Sequence, residues 1–222
     1  MRVLDTIASR RSLRGGFTTT PVAPQVVDEI VEAGRLAPSS KNAQPWRIHV
    51  VTDRELTARL ARAVRQAKGV EDYVPCDPAT GEPRPDWPST VVESAFVLES
   101  APLCLFIENR GEFSTGRGTL AALEDPEIRA DALIGYSFEC IGLGAAIQSM
   151  WLIAVHHGLG GAFMGDVLIA EDAIRAALSM SGDLAGVLCL GQTVAPARRP
   201  RTLHPDRVVR HDADPQPAPA RR

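Results

Sequence analysis

The sequence predicts an α+β fold in which helices and strands pack in layers. Helical and strand-like patterns alternate only loosely along the 222 residues, and the first two strands are separated by two helices and a proline-rich excursion. A regular series of tight βαβ units is therefore not expected. A long, almost wholly apolar helical stretch in the second half is suited to the centre of the fold. With 45% hydrophobic and 23% charged residues, the chain can bury such a core as one domain.

The N-terminal part of the chain is expected to begin with two helices. Apolar residues at helical spacing predict a short helix that ends near Ser9, just before a basic cluster. Pro24 suits the first position of a second helix. The apolar side of that helix carries Val27, Ile30, Val31 and Leu36.

A strand, a helix and an irregular segment follow. The strand is expected over residues 47–52, and Thr52 and Glu55 form a capping box for the third helix. Residues 69–88 form an excursion or lid, because residues 73–88 carry five prolines, which exclude regular structure. Ser89 or Thr90 can cap the next helix, which leads into a buried strand at 103–107.

The longest predicted helix begins near Pro126 and is almost wholly apolar over residues 134–155. His156 and His157 end it and are expected to cap its last carbonyls. A short extended piece at 160–165 follows.

The C-terminal part is expected to hold one helix and one strand. Glu171 and Asp172 open the helix, Gly182 closes it, and a strand is predicted over residues 184–194. The domain is expected to end near residue 210, since residues 211–222 have the composition of a disordered tail.

Charge and composition exclude several classes of protein. The net charge of -3 gives no electrostatic reason to expect nucleic-acid binding. The N-terminus lacks the uninterrupted apolar region of a secretory signal, and the apolar segment 140–155 is shorter than a membrane span, so we expect a cytoplasmic protein. The four cysteines form no C-x-x-C pair and are expected to be reduced core thiols.

No motif for phosphate-loop, metal or triad chemistry is present. Two glycine-rich stretches fail the G-x-G-x-x-G spacing because Ile147 and Phe163 stand at the third glycine position. There is no P-loop, no ligand set for a metal, and no G-x-S-x-G. A protein without such groups commonly uses an organic cofactor for its chemistry.

Two stretches are candidates for ligand binding. Residues 37–46, APSSKNAQPW, present small polar side chains between two prolines that we expect to stiffen the backbone, with Gln44 held extended before Pro45. The alternative is an ordinary turn between a helix and a strand. The second candidate is a set of residues able to bind phosphate, for which a solvated basic patch is the alternative: Arg10, Arg11, Ser12, Arg14, Arg199 and Arg201.

Four motifs found together resemble the nitroreductase family of flavoproteins. They are RRSLR at 10–14, APSSKNAQPW at 37–46, HHGLGGAFMG at 156–165, and RPR at 199–201, in the order the family has them. The resemblance implies a nitroreductase-like layered fold with a central, mostly antiparallel or mixed sheet flanked by helices. It also implies an intertwined homodimer with FMN at the interface.

The same resemblance implies roles for individual residues. Arg10, Ser12 and Arg201 would hold the FMN phosphate, with Arg11 and Arg199 as further candidates, and Arg14 would lie at the flavin pyrimidine edge. Residues matching Pro38, Ser39, Ser40 and Asn42 contact the flavin from the other subunit. The backbone of Met164 and Gly165 would lie against the flavin and offer an N–H to N5. Gly165 departs from the polar or acidic residue that many members carry. A further contact falls near residues 66–71, where Lys68 is the candidate.

The implied activity is an FMN-dependent oxidoreductase that uses NADH or NADPH to reduce nitroaromatic, quinone or similar planar acceptors in two half-reactions. Tyr73 and Trp87 of the excursion can stack on an aromatic acceptor or simply pack the excursion, and Trp151 is expected in the core. The alternatives are an oxygen-dependent enzyme that transforms flavin and a flavin-binding protein without turnover.

Overall fold

The computed structural model describes residues 2–77, 80–84 and 89–194 and places them in an α+β fold. Over these residues the helices are α1 (Val3–Ser9), α2 (Pro24–Arg35), α3 (Arg54–Arg65), α4 (Thr90–Ser100), α5 (Arg117–Ala122), α6 (Pro126–His156) and α7 (Glu171–Leu178). The strands are β1 (Trp46–Val51), β2 (Leu103–Asn109), β3 (Gly160–Met164) and β4 (Asp183–Gly191). The predicted fold class is confirmed.

The four strands form one antiparallel sheet in the order β1-β2-β4-β3. Trp46 of β1 and Asp183 of β4 both pair with Asn109 of β2, and Met164 of β3 pairs with Val187. The starts of β1 and β4 and the ends of β2 and β3 therefore lie along the same edge of the sheet. The loops that follow Asn109 and Met164 leave from this edge.

Helices cover both faces of the sheet, which explains why every residue of β2 is buried. One apolar cluster joins Cys104 and Phe106 to α3, α4 and α7. The other joins Leu103, Leu105 and Ile107 to α2 and α6. Alternate side chains of a strand point to opposite faces, so β2 needs an apolar residue at nearly every position.

Several predicted helix ends are corrected by the structure. Asp53, and not a Thr52–Glu55 box, caps α3 by accepting from the N–H groups of Glu55 and Leu56. Ser89 precedes α4, but its hydroxyl donates to the Val70 carbonyl at 2.6 Å and does not cap the helix. Asp125 caps α6 through the N–H groups of Glu127 and Ile128.

Two corrections concern the C-terminal ends of helices. α7 ends at Leu178 because Ser179 takes a left-handed conformation, with φ 53°, and Gly182 instead packs closely on the Asn109 carbonyl. His157 caps no carbonyl with its side chain; its Nε2 lies 2.8 Å from Oε2 of Glu29 on α2.

The long helix α6 is only partly central. Its second half packs into the core as predicted, but its first half exposes five large apolar residues: Ile128, Leu133, Ile134, Phe138 and Ile141. Leu36, predicted on the buried side of α2, is also exposed. By length and hydropathy α6 matches a membrane-spanning helix, as core helices of soluble proteins also can. Its packing along α2 and the sheet marks it as a core helix.

The cysteine prediction is half right. Cys104 and Cys189 are fully buried partners on adjacent strands, with their Sγ atoms 3.9 Å apart. The hydrogen bond with Cys104, together with burial, raises the pKa of the Cys189 thiol well above its usual value, so this thiol stays protonated. Cys76 and Cys140 are exposed and do not belong to the core.

Candidate functional site

Residues 10–14, called here the arginine segment, run beside the edge strand β3. Ser12 forms a parallel bridge with Gly161, and the Leu13 N–H donates to the Gly161 carbonyl at 2.8 Å. Gly161 must be glycine because a Cβ there would overlap the Cys189 carbonyl. Gly165 comes four residues later, about 13 Å along an extended strand. The segment and the end of β3 thus border one stretch of the molecule's surface.

Two neighbouring arginines in this segment are held in different ways. The Arg10 guanidinium lies over the ring of the buried Trp151 on α6, 4.5 Å from its centroid, an arrangement that favours a fixed cation. Arg11 donates from Nη1 to the carbonyls of Ala8 (2.6 Å) and Arg10 (2.8 Å). Arg11 Nε is buried and, within the described residues, has no hydrogen-bond partner. A buried donor left without an acceptor is costly.

The arginine segment therefore fits a phosphate-bearing ligand. Arg10, Arg11 and Ser12 are consecutive, and guanidinium and hydroxyl groups are strong donors to phosphate oxygens. An acceptor near the orphaned Arg11 Nε would remove the cost of leaving it unpaired. Arg199 and Arg201, the other predicted phosphate ligands, lie outside the described residues.

Arg14, predicted at the flavin pyrimidine edge, has a protein partner. Its Nε lies 3.4 Å from Oε2 of Glu93 on α4, and both side chains are nearly half exposed. Solvent weakens a pair of this kind, so the carboxylate reduces the local positive charge without removing it. Glu93 was not anticipated from the sequence, because no motif connects α4 with the arginine segment.

Residues 37–46, called here the proline loop, bind mainly to themselves. The Ser39 hydroxyl accepts from the Gln44 N–H at 3.0 Å, and the Asn42 side-chain carbonyl accepts from Gln44 Nε2 at 3.1 Å. The expectation of an extended Gln44 is wrong: Lys41, Asn42 and Gln44 all have positive φ, between 47° and 54°. These internal hydrogen bonds stabilise a tight turn that proline restriction alone would not favour.

The proline loop lies against the middle of α6. A Cβ at Gly142 would lie 3.3 Å from Pro45 Cγ and 3.4 Å from Ser39 Cβ, so glycine allows this close approach. Gly142 and Trp151 are nine residues apart, which is about 13 Å along a helix. The proline loop and the arginine segment therefore contact α6 well apart from each other. Pro38 and Asn42 are exposed, whereas Ser39 and Ser40 are half-buried.

The end of β3 is open. Met164 is buried, but Gly165 is exposed, and no atom comes within 4 Å of the position a Cβ would take there. Its φ of -87° is ordinary, so this glycine leaves free space and relieves no backbone strain. A planar group can approach the backbone here.

Two buried glutamates hold the neighbouring loops, and neither was singled out from the sequence. Glu139 accepts from the Asn109 amide, the Phe113 and Ser114 N–H groups and the Ser114 hydroxyl. Burial raises the pKa of the Glu139 carboxyl, but these hydrogen bonds outweigh it and leave the pKa below its usual value. An acidic residue inside an otherwise apolar helix was the available signal.

Glu108 acts in the same way on the other loop at this edge. It lies 2.7 Å from His49 Nε2 and accepts from Ser181 and Gly182. Burial raises its pKa, and the hydrogen bonds from His49, Gly182 and Ser181 bring it below the usual value. Both glutamates are fully committed to structure.

The remaining residues predicted to contact the flavin or the acceptor are exposed or lie outside the described residues. Lys68 is exposed, as is Tyr73, while Trp87 is not described. Trp151 is buried, as predicted. Among the residues that the structure describes, no cluster of three or more His, Cys, Asp or Glu side chains could hold a metal ion.

Curated relatives include reductases that match short parts of the chain and one synthase that matches most of it. A 4-nitrobenzoate reductase of Pseudomonas putida is 50% identical over 46 residues, which is 21% of this chain and 20% of that protein. A 5,6-dimethylbenzimidazole synthase of Rhodospirillum rubrum is 26% identical over 200 residues, 88% of this chain and 81% of that one. The first match therefore spans only a fifth of its relative's length.

Solved structures share the fold. A BluB-like flavoprotein from Clostridium difficile aligns with a TM-score of 0.70 and 24% identity over 96% of this chain and all of that one. An NADPH:FMN oxidoreductase from Vibrio harveyi aligns with a TM-score of 0.65 and 22% identity over 95% of this chain and 77% of that one. The family model described as the Nitroreductase family matches residues 7–192. This chain belongs to the nitroreductase family.

Proposed function

We propose that this chain is an FMN-dependent NAD(P)H oxidoreductase that reduces nitroaromatic, quinone or similar planar, electron-poor acceptors. The observation that carries the proposal is the arginine segment bridged to Gly161 and leading along β3 to the open backbone at Gly165. Relatives named as reductases of 4-nitrobenzoate and nitrobenzene support the acceptor class.

In this proposal the arginine segment binds the cofactor phosphate. Arg10, fixed over Trp151, and Ser12 supply the main donors, and the Arg11 guanidinium supplies a third. Arg199 and Arg201 would complete the site. Bound FMN would supply hydride transfer at its N5 atom.

Other residues orient the ring and exclude water. The backbone at Met164 and Gly165 would offer an N–H to a bound flavin and hold its ring against β3. Arg14 would place a positive charge beside the flavin, which would favour its reduction, and Glu93, 3.4 Å from Arg14 Nε, would moderate that charge. Lys68 and the excursion at 69–88 would border the open face used in turn by nicotinamide and acceptor.

A homodimer completes the site. The first half of α6 exposes five large apolar side chains, and burial against a second copy would stabilise them. Pro38, Ser39, Ser40 and Asn42 would then contact the flavin held mainly by the other subunit. The proline loop and the arginine segment lie well apart along α6, which is consistent with their contributing to two different flavin sites of the dimer. We also propose a cytoplasmic location.

A second candidate is an oxygen-dependent enzyme that transforms the flavin itself. It is favoured by the match to 5,6-dimethylbenzimidazole synthase, which extends over 88% of this chain. A flavin-binding protein without turnover is the third possibility.

Anaerobic spectroscopy separates these functions. The protein purified with FMN should be yellow and should bleach on addition of NADH or NADPH, and a nitrobenzoate or quinone should restore the colour. A colour that persists with both NADH and NADPH would contradict the reductase. Loss of the flavin spectrum on admission of oxygen to the reduced protein would support the second candidate. A protein without affinity for FMN would refute all three.

A further inference from the structure

Arg10 lies where α1 ends, and contacts with its own chain hold it at both ends. Its N–H donates to the Thr6 carbonyl at 3.1 Å, and its carbonyl accepts from Arg11 Nη1 at 2.8 Å. The guanidinium end of the side chain lies over the Trp151 ring on α6, 4.5 Å from the ring centroid. The backbone and the charged group of this residue are therefore both positioned by the protein.

Hydrogen bonding does not explain why residue 151 is a tryptophan. A buried indole N–H usually has a hydrogen-bond partner. Trp151 is 7% exposed, and its Nε1 is buried without a partner among the residues that the structure describes. An unpaired buried donor costs stability. A phenylalanine would supply an aromatic ring without this cost, so the N–H group is not the reason for the residue.

The face of the indole ring gives a better reason. Among the aromatic side chains, tryptophan attracts a cation over its face most strongly. Arg10 is half-buried, which reduces the competition from water. The ring has no net charge, so it leaves the positive charge of the guanidinium in place. An arginine held over a ring can also keep N–H donors in its plane for an anionic ligand.

Arg14 shows the other way to hold an arginine in this segment. Its Nε lies 3.4 Å from the Glu93 carboxylate, which reduces the local positive charge. A ring and a carboxylate can both fix a guanidinium, but the ring does so without adding a negative charge. A residue that binds a phosphate is therefore better held by a ring.

We propose that Trp151 is a positioning residue for phosphate binding, because its ring holds the Arg10 guanidinium ready for the phosphate of FMN. The proposal rests on the proposed function, since it takes Arg10 as a phosphate ligand. A side chain that is already ordered loses less conformational freedom when the ligand binds. Trp151 acts through Arg10 and does not itself need to touch the cofactor.

Titration of the full chain with FMN and with riboflavin, which lacks the phosphate, tests this proposal by flavin fluorescence. Trp151→Leu removes the aromatic face and should weaken FMN binding about 3- to 10-fold. Riboflavin binding should be unchanged. In the Arg10→Ala background, Trp151→Leu should cause no further loss of FMN affinity. Trp151→Phe keeps an aromatic face and should bind FMN within about 3-fold of wild type.

Stability is checked separately because Trp151→Leu also removes buried volume. Urea denaturation without flavin shows whether each variant is folded. If Trp151→Leu does not fold, Trp151→Met provides the same comparison, since its flexible side chain can fill an irregular space without an aromatic face.

Other outcomes overturn the proposal. Equal weakening of FMN and riboflavin binding would assign Trp151 to general packing of the site. The same loss of FMN affinity with and without Arg10 would mean that Trp151 does not act through Arg10. Unchanged FMN affinity in Trp151→Leu, beside a loss in Arg10→Ala, would show that Arg10 needs no ring. Failure of the proposed function would look different: wild type would bind no flavin, or Arg10→Ala would bind FMN as tightly as wild type, and either result would refute both.

Discussion

The arginine segment and the proline loop differ in what holds them. The arginine segment is bound to another element of its own chain: it pairs with β3 and stacks on Trp151. The proline loop is held by hydrogen bonds among Ser39, Asn42 and Gln44 and rests on Gly142. A segment tied to the sheet can define a site within its own subunit, whereas a self-contained loop can be presented to a neighbour. This contrast is the physical basis of the proposed shared site.

The largest effect is expected from a change beneath the arginine segment. Gly161→Ala places a methyl group against the Cys189 carbonyl and should lower the free energy of unfolding by about 3 kcal/mol. Gly165→Ala, four residues along, meets nothing and should leave stability unchanged. Urea denaturation of both variants measures the difference. Equal stability of the two variants would contradict the requirement for glycine at position 161.

Loss of Arg10 should weaken FMN binding. Arg10→Ala removes a charged hydrogen bond to phosphate, worth about 1.5–3 kcal/mol, and should raise the FMN dissociation constant accordingly. Arg35→Ala, which removes an exposed arginine paired with Glu32, should not. Flavin fluorescence titration provides the measurement. Unchanged affinity in Arg10→Ala would remove the arginine segment from the phosphate site.

The position of the proline loop on the protein depends indirectly on Glu139. The Pro45 carbonyl accepts from the Arg110 N–H at 2.8 Å. Arg110 belongs to the loop after β2, and Glu139 holds that loop by accepting from the Asn109 amide. Glu139→Gln replaces one of the two carboxylate oxygens with an NH2 group, which then faces other donors, and should cost about 1–3 kcal/mol of stability at neutral pH. The exposed Glu127→Gln is the control.

The pH dependence of this effect has a definite sign. The pKa of Glu139 is lowered in the folded state, so its stabilisation is complete above the unfolded value of about 4.3 and is lost as pH falls through the folded value. The gap between wild type and Glu139→Gln should therefore shrink below about pH 4. A gap that stays constant from pH 7 to pH 3 would contradict a charged Glu139.

The smallest expected effect is the one that tests most directly whether the arginine segment and the proline loop contribute to the same site from different subunits. Ser39→Ala removes the acceptor for the Gln44 N–H and should weaken FMN binding by about 1 kcal/mol. If each site takes Arg10 from one subunit and Ser39 from the other, a mixed dimer of Arg10→Ala and Ser39→Ala chains has one intact site. Titration of differently tagged, co-purified chains should then show half the sites with wild-type affinity. The absence of such sites would place both residues at the flavin of one subunit.

Local patterns predicted most of the fold, but not the contacts between distant segments. The end of α1 and the starts of α2 and β2 follow from apolar spacing and from Pro24, which are local signals. The role of Asp53 at α3 was missed because a Thr–Glu pair offered a competing cap. The conformation of Gln44 was wrong because hydrogen bonds within the loop outweighed the restriction imposed by Pro45.

The candidate site was predictable only where residues form a recognisable motif. The resemblance selected Arg10 and Ser12, and the structure places Ser12 beside β3 and Arg10 over Trp151 of α6. It gave no warning of Glu93 beside Arg14, or of Glu108 and Glu139 beneath the loops. Those contacts join residues up to 79 positions apart in number, from 14 to 93, and no local pattern encodes them.

The bridge between Ser12 and Gly161 also bears on solubility. β3 is the last strand of the sheet, and an uncovered edge strand offers its backbone groups to other chains. The Leu13 N–H donates to the Gly161 carbonyl, so this acceptor on the edge strand is not available to another chain. The arginine segment, which is proposed to hold the cofactor, thus also protects the edge of the sheet from pairing with another chain. Shortening the chain at its start would remove cofactor affinity and resistance to aggregation together.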